Sequence, residues 1–158
     1  MLLAIDIGNT NIKYGIYNGE DLVASFRVSS RLSRTADEYG SVLINLLASK
    51  GLKTFDVTGV IMSSVIPSLN YTICHMCEYF FGVSPLMVGP GIKTGLTVKA
   101  DNPKEVGADI IVNCVSAFTK YGGPIIVIDF GTATTFDIIS EKGELIGVVI
   151  SPGIKGSL

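Results

Sequence analysis

The sequence predicts an α/β fold: a mixed sheet that begins with three antiparallel strands and carries helices on its faces. Residues 2–7, 12–18 and 22–28 are apolar or β-branched runs typical of consecutive strands. Later strands are separated by amphipathic segments that begin with helix-capping signals. The composition, 47% hydrophobic and 16% charged, favours buried strands and glycine-rich turns over a solvated helical bundle.

Two short turns separate the first three strands. Gly8, Asn9 and Thr10 lie between the first and second strands, and Asn18-Gly19 lies between the second and third. Asn-Gly flanked by strand residues is a strong hairpin signal. The chain is therefore expected to begin as an antiparallel meander.

The first helix is predicted to begin at a capping box formed by Thr35 and Glu38. It should end near residues 50–51. Its apolar residues fall on one helical face: Tyr39, Val42, Leu43, Leu46 and Leu47. Residues 57–65 then read as a buried strand, and the helix before them implies a parallel crossover onto the first sheet.

A second helix is predicted to start at Pro67, with apolar residues at helical spacing that we interpret as core: Leu69, Ile73, Met76 and Phe80. Residues 85–88 resemble a short strand, followed by a loop through Gly95. A third helix is predicted from Asn102, as its cap, to about Lys120, with Pro103 at its first position. Its narrow polar stripe faces either solvent or a cleft: Glu105, Asp109, Asn113 and Ser116. We expect Glu105 and Asn113 to be ordinary helix-surface residues.

From Pro124 the strand pattern restarts, continues through residues 144–150, and leads to Ser-Pro-Gly at 151–153. Strands without helices to cover them do not complete a domain. We therefore expect an N-terminal domain over residues 1–120, and the truncated start of a second, similar domain over residues 121–158.

Charge and composition disfavour several classes of protein. The net charge is −2 and no cluster of basic residues occurs, so a nucleic-acid partner is disfavoured. Asp6 interrupts the first apolar run too early for a signal peptide, and no apolar run approaches the roughly 20 residues of a membrane span. Three cysteines without export features suggest reduced thiols in a cytoplasm.

Cys74 and Cys77 form a Cys-x-x-Cys pair around His75. Because no second pair of Cys or His residues completes a zinc site, we interpret them as core and surface residues of the second predicted helix.

The phrase of apolar strand, Asp-x-Gly and hydroxyl residues occurs twice, at Asp6 and at Asp129. In each copy a carboxylate reaches a turn whose glycine lets the backbone approach a ligand closely. Two such hairpins facing each other would hold a nucleotide between them, so the sequence predicts a phosphate-binding site.

This order of motifs resembles the superfamily of sugar kinases, actin and heat-shock chaperones, in which two ribonuclease-H-like domains clamp ATP and Mg²⁺. The resemblance narrows to the type III pantothenate kinase family through segments that occur in the family's order: residues 6–13, 63–67, 101–109, 129–135 and 151–154. It covers essentially the whole chain. Family members are usually longer, which implies that the C-terminal part of the second domain is absent here.

The resemblance implies an enzyme that phosphorylates pantothenate with ATP, the first step of coenzyme A biosynthesis. It also implies a cytoplasmic homodimer that needs Mg²⁺ and a monovalent cation, K⁺ or NH₄⁺. One alternative is a paralogue that binds ATP but is catalytically weak or inactive and acts as a regulator or partner. It is suggested by Ala100 and Ile110, where the family pattern usually has Tyr and Arg. A phosphatase of the superfamily fits the phosphate motifs but not residues 102–109.

The resemblance also assigns roles by motif position. Asp6 would hold the Mg-phosphate end of ATP, and Asp129 would bind the monovalent cation. Asp109 would be the general base that accepts the proton of the pantothenate hydroxyl. The ATP phosphates would be surrounded by Gly8, Asn9, Thr10 and Lys13. The second phosphate loop would contain Gly131, Thr132 and Thr134. The substrate pocket would include Gly107 and Ala108.

Overall fold

The computed structural model describes residues 1–89, 92–99, 102–103 and 105–154. The chain divides into two compact units, Met1–Val88 and Gly89–Leu158. The boundary lies earlier in the chain than the predicted domain boundary after residue 120. The two divisions differ because the third helix packs against strands of the second sheet.

The first unit is built on a five-stranded mixed sheet of order β3-β2-β1-β4-β5. Its strands are β1 (Leu2–Ile7), β2 (Asn11–Asn18), β3 (Asp21–Ser29), β4 (Gly59–Ser64) and β5 (Leu86–Met87). β1, β2 and β3 pair antiparallel, whereas β4 pairs parallel with β1. The predicted meander and parallel crossover are confirmed. Gly19 in the β2–β3 turn has φ +62°, a left-handed conformation that favours glycine.

Two helices cover this sheet, α1 (Ala36–Ala48) and α2 (Pro67–Phe81). They pack closely, because a Cβ on Gly40 of α1 would collide with the ring of Phe80 of α2. The apolar core between helices and sheet includes Leu3, Ile5, Ile7, Leu43, Leu47, Leu69, Ile73 and Met76. Most residues of the predicted apolar faces are buried as expected, whereas Val42, Leu46 and Phe80 are only partly buried.

The predicted capping box begins α1 as expected. Thr35 Oγ1 accepts a hydrogen bond from the Glu38 N–H at 3.3 Å, and Glu38 Oε2 accepts one from the Thr35 N–H at 2.7 Å. We expect Thr35→Ala to lower the free energy of unfolding by about 1 kcal/mol, because the Glu38 N–H loses its side-chain partner. Urea denaturation measures this. Ser41→Ala, on an exposed position inside the same helix, is the matched control, and equal losses from both variants would contradict the capping role.

The second unit contains a four-stranded sheet of order β6-β9-β8-β7. Its strands are β6 (Thr97–Val98), β7 (Ile125–Phe130), β8 (Ala133–Ile139) and β9 (Glu144–Pro152). Helix α3 (Ala108–Tyr121) packs against β7 and β8. A small core forms there from Ile110, Cys114, Ile139 and Leu145.

The predicted start of the third helix at Asn102 is wrong. α3 begins at Ala108, after Gly107, whose φ of −61° and ψ of 147° are extended rather than helical. Asn102 instead begins a turn, in which its carbonyl accepts the Glu105 N–H at 3.1 Å. The Asn-Pro signal therefore marks a turn, and Gly107, a poor helix former, separates it from the helix. Ala100, Asp101 and Lys104 lie outside the described residues.

Within the described ranges, none of the helices is long and apolar enough to cross a membrane.

Candidate functional site

The first Asp-x-Gly phrase forms a tight turn between β1 and β2. The Gly8 N–H donates to the Asn11 carbonyl at 3.0 Å, and a Cβ on Gly8 would lie 3.2 Å from that oxygen. Ser30, just after β3, donates its hydroxyl to the Gly8 carbonyl at 2.6 Å and its N–H to the Thr10 carbonyl at 3.0 Å. The predicted phosphate turn is therefore held by its own Gly8–Asn11 hydrogen bond and by Ser30, a supporting residue that the sequence motif did not reveal.

Asp6 and Lys13 lie opposite each other on β1 and β2. Lys13 Nζ is 3.1 Å from Asp6 Oδ2, and the two side chains are 54% and 35% exposed. An ion pair this exposed contributes at most about 1 kcal/mol. A ligand that offers a cation to Asp6 and phosphate oxygens to Lys13 therefore separates the pair at little cost.

On its other side, β1 pairs with β4, which places Ser63 beside Asp6. The Ser63 side chain is 5% exposed, and its hydroxyl has no hydrogen-bond partner among the described residues. Ser64 Oγ accepts the Ile66 N–H at 3.1 Å, directly before α2. Ser63 and Ser64 thus lie at the end of β4, between the strand that carries Asp6 and the start of α2. Only the strand register reveals that Ser63 is next to Asp6.

The second Asp-x-Gly phrase forms a shorter turn between β7 and β8. The Gly131 N–H donates to the Ala133 carbonyl at 2.9 Å, and a Cβ on Gly131 would lie 3.2 Å from that oxygen, as in the first turn. Gly153 packs on this turn, because a Cβ there would collide with the carbonyl oxygens of Gly131 and Thr132. The Ser-Pro-Gly phrase therefore supports the second turn, and Thr134 is buried next to it.

Helix α3 brings Asn113 against the strand that carries Asp129. Asn113 Nδ2 donates to Asp129 Oδ2 at 3.1 Å. Asp109, one turn earlier on α3, accepts the Ile110 N–H on its Oδ1 at 2.8 Å. The expectation that Asn113 is an ordinary surface residue is wrong, since its amide faces β7.

Asp137 on β8 is a fully buried carboxylate that the sequence analysis did not select. Its Oδ2 accepts the Thr135 hydroxyl at 3.2 Å, while its Oδ1 has no partner among the described residues. Burial raises the pKa of this carboxyl, the Thr135 hydrogen bond opposes the rise, and the negative charges of Asp109 and Asp129 add to it. In the sequence, Asp137 alternates with Thr135 and Ile139, which places the three side chains on one face of β8.

We expect Asp137→Asn to raise the free energy of unfolding at neutral pH by about 1 to 3 kcal/mol, because it removes a negative charge that is buried near Asp109 and Asp129. The folded chain binds this proton more tightly than the unfolded chain, so the stability of the native protein falls as pH rises above the ordinary Asp value of 3.8. The variant lacks that dependence.

Urea denaturation in neutral and in acidic buffer measures both effects, with the exposed Asp21→Asn as control. The difference in the free energy of unfolding between the variant and the native protein should be smaller in acidic buffer. A less stable variant in neutral buffer would contradict the assignment, since it would mean that ionised Asp137 has a stabilising partner.

The oxygen donors of these turns suit hard cations rather than soft ones. Among the described residues, no three His, Cys, Asp or Glu side chains converge to hold a metal ion. Mg²⁺ usually binds through one or two carboxylates together with substrate phosphates and water, so a single carboxylate such as Asp6 fits that chemistry. Cys77 does not, because burial raises the pKa of its thiol to about 12.

Comparison with known proteins decides the family. Residues 2–158 match the family model described as type III pantothenate kinase. The chain belongs to the type III pantothenate kinase family. A type III pantothenate kinase of Moorella thermoacetica is 53% identical over 154 residues, which cover 98% of this chain and 61% of that relative. The chain thus spans about three fifths of the length of this fellow family member.

Solved structures show the fold that this member of the type III pantothenate kinase family adopts. The activator of 2-hydroxyisocaproyl-CoA dehydratase from Clostridium difficile is 19% identical with a TM-score of 0.54, covering 96% of this chain and 45% of that one. A reductive activator for a corrinoid, iron-sulfur protein is 11% identical with a TM-score of 0.61, covering 98% and 32%. The Aquifex aeolicus Ppx/GppA phosphatase is 14% identical with a TM-score of 0.52, covering 98% and 53%. The expected actin-like ATPase fold is confirmed, but because proteins of different activity share it, the fold alone does not decide the reaction.

Proposed function

We propose that the protein phosphorylates pantothenate with ATP to give 4'-phosphopantothenate, the first step of coenzyme A biosynthesis. The observation that carries this proposal is the match of residues 2–158 to the type III pantothenate kinase family. The relative from Moorella thermoacetica, 53% identical, supports the same assignment. Family membership also supports a cytoplasmic homodimer that uses K⁺ or NH₄⁺.

In this proposal the β1–β2 turn binds the phosphates of ATP. Gly8, Asn9 and Thr10 supply the turn, and Lys13 supplies a positive charge for the phosphate oxygens. Asp6 would help to hold the Mg²⁺ that accompanies the ATP phosphates. This contact would replace its ion pair with Lys13, whose Nζ lies 3.1 Å from Asp6 Oδ2. Bound Mg²⁺ supplies neutralisation of phosphate charge, which is the main requirement of phosphoryl transfer.

The β7–β8 turn is proposed as the second phosphate loop. Gly131 and Thr132 form the turn, Thr134 follows it on β8, and Asp129 precedes it and holds the monovalent cation. The tight Gly131–Ala133 turn, closed by a hydrogen bond of 2.9 Å, supports this role because it leaves room for close approach of a phosphate. Gly153 packs against the carbonyl oxygens of this turn.

Asp109 is proposed as the general base. It accepts the hydroxyl proton of pantothenate as the alcohol oxygen attacks the γ-phosphorus, and ADP leaves with the electron pair of the broken P–O bond. Gly107 and Ala108 lie at the start of α3 directly before it and shape the substrate pocket. Asp109 lies in the first turn of α3, where a carboxylate is favoured by the helix dipole.

Ile110 stands where the family pattern usually has arginine. Its side chain is 7% exposed and packs in the second core with Cys114 and Leu145. Ile110 thus packs α3 into the second core.

An assay of ADP release with and without pantothenate tests the proposed function. Pantothenate-dependent release is the expected result, and it should require Mg²⁺ and increase with K⁺ or NH₄⁺. Binding of an ATP analogue without pantothenate-dependent turnover would refute the kinase assignment in favour of an ATP-binding regulator.

A further inference from the structure

Asn113 makes the hydrogen bond that joins helix α3 to the strand carrying Asp129. Its Nδ2 lies 3.1 Å from Asp129 Oδ2, and the bond is partly buried. It spans 16 residues of sequence, so it is a tertiary contact rather than a local feature of the helix. Asp109 lies four residues earlier, on the same face of α3.

The residue type suits a position among carboxylates. Asp137 is fully buried nearby, and the charges of Asp109 and Asp129 both act on it. A lysine or arginine in place of Asn113 would neutralise Asp129 and compete with a bound cation. An aspartate at the same position would repel the Asp129 carboxylate. An amide donates a hydrogen bond to Asp129 without adding a charge of its own.

The bond also restricts the carboxylate. Once Asn113 holds Oδ2, rotation of the Asp129 side chain is limited, and Oδ1 keeps a defined direction. Groups that orient a metal-binding carboxylate in this way typically change metal affinity by about 10- to 100-fold when they are removed.

We propose that Asn113 is a positioning residue that orients Asp129 toward the monovalent cation and ties the helix bearing Asp109 to the strand bearing Asp129. This inference rests on the proposed function, in which Asp129 holds the cation. It assigns a role to a residue outside the family motifs described above.

The test compares two variants with a matched control. Asn113→Ala removes the donor, and the nearly isosteric Asn113→Asp replaces it by a like charge. Ser116→Ala, the exposed polar residue one turn later on α3, is the control. Circular dichroism tests whether each variant is folded. If Asn113→Ala does not fold, Asn113→Asp still tests the proposal.

Two measurements report how strongly the protein binds the monovalent cation. The first is the K⁺ concentration that gives half-maximal pantothenate-dependent ADP release. The second is the thermal stabilisation of the protein by KCl relative to choline chloride at the same ionic strength, which does not require turnover. For Asn113→Ala we expect about 10- to 100-fold more K⁺ for the half-maximal effect in both, with a smaller change in kcat at saturating K⁺. Asn113→Asp should be affected more, and Ser116→Ala should match the wild type.

Failure of the inference is distinguishable from failure of the proposed function. If the wild type shows no pantothenate-dependent turnover but is stabilised by K⁺, the kinase assignment fails and the role of Asn113 is still decided by the stabilisation series. An unchanged K⁺ requirement in folded Asn113 variants would overturn the positioning role, as would a wild type that K⁺ does not stabilise beyond choline.

Discussion

In the proposed reaction, replacing Asp109 by asparagine is expected to lower kcat by ~10²- to 10⁴-fold, the usual contribution of a general base. Asparagine has nearly the same shape, so it can still accept the Ile110 N–H that the Asp109 carboxylate accepts at 2.8 Å. It cannot accept the proton of the substrate hydroxyl. The loss should therefore appear in kcat, while the affinity for an ATP analogue stays close to that of the wild type.

Steady-state kinetics together with calorimetric titration of the analogue separate the two effects. The matched control is Glu105→Gln, which removes a carboxylate from an exposed position just before α3. A variant at Asp109 that keeps wild-type kcat would exclude this residue as the base. Equal losses at Asp109 and Glu105 would indicate a general charge effect instead.

Replacing both Asp6 and Asp129 by asparagine is expected to weaken binding of a Mg-ATP analogue by more than either single change. Each lost charged contact is worth about 1.5 to 3 kcal/mol, or roughly ten- to a hundredfold in affinity. At Asp6 the effect should depend on Mg²⁺. Without the metal, Asp6→Asn releases Lys13 from its partner at 3.1 Å, and affinity for the free nucleotide should change little.

Calorimetric titration with and without Mg²⁺ measures this difference, and Asp21→Asn at the exposed start of β3 serves as the control. If wild type and double variant bind the Mg-ATP analogue equally, neither carboxylate belongs to a nucleotide site. A loss at Asp6 that is the same with and without Mg²⁺ would instead indicate a structural role for the pair with Lys13.

Much of the first unit was predictable because its signals are local. The Thr35–Glu38 box, the Asn18-Gly19 hairpin and Pro67 at the start of α2 each act within a few residues. The crossover to β4 followed from the helix that precedes it. The same reasoning failed at Asn102, where the local signal marks a turn and the helix begins only at Ala108, after the extended Gly107.

The residues of the candidate site likewise fall into those that local patterns predicted and those that only tertiary contacts revealed. Both Asp-x-Gly turns were recognisable from the chain, because the phrase occurs twice, each time between apolar strands. Asn113 and Asp137 were missed, since their roles depend on which element lies opposite them. The pairing of Asn113 with Asp129 and the burial of Asp137 appear only when α3 packs on β7 and β8.

By itself, the sequence determined the antiparallel start of the first sheet and the two turns with their carboxylates, because backbone preferences and apolar periodicity act over a few residues. The order of its motifs indicated the family, which the comparison with known proteins then decided. Only the tertiary structure decided where α3 begins, which side of it faces β7, and which carboxylate is buried. Those properties arise from contacts between residues far apart in the chain, and no local pattern encodes which partner a polar side chain will meet.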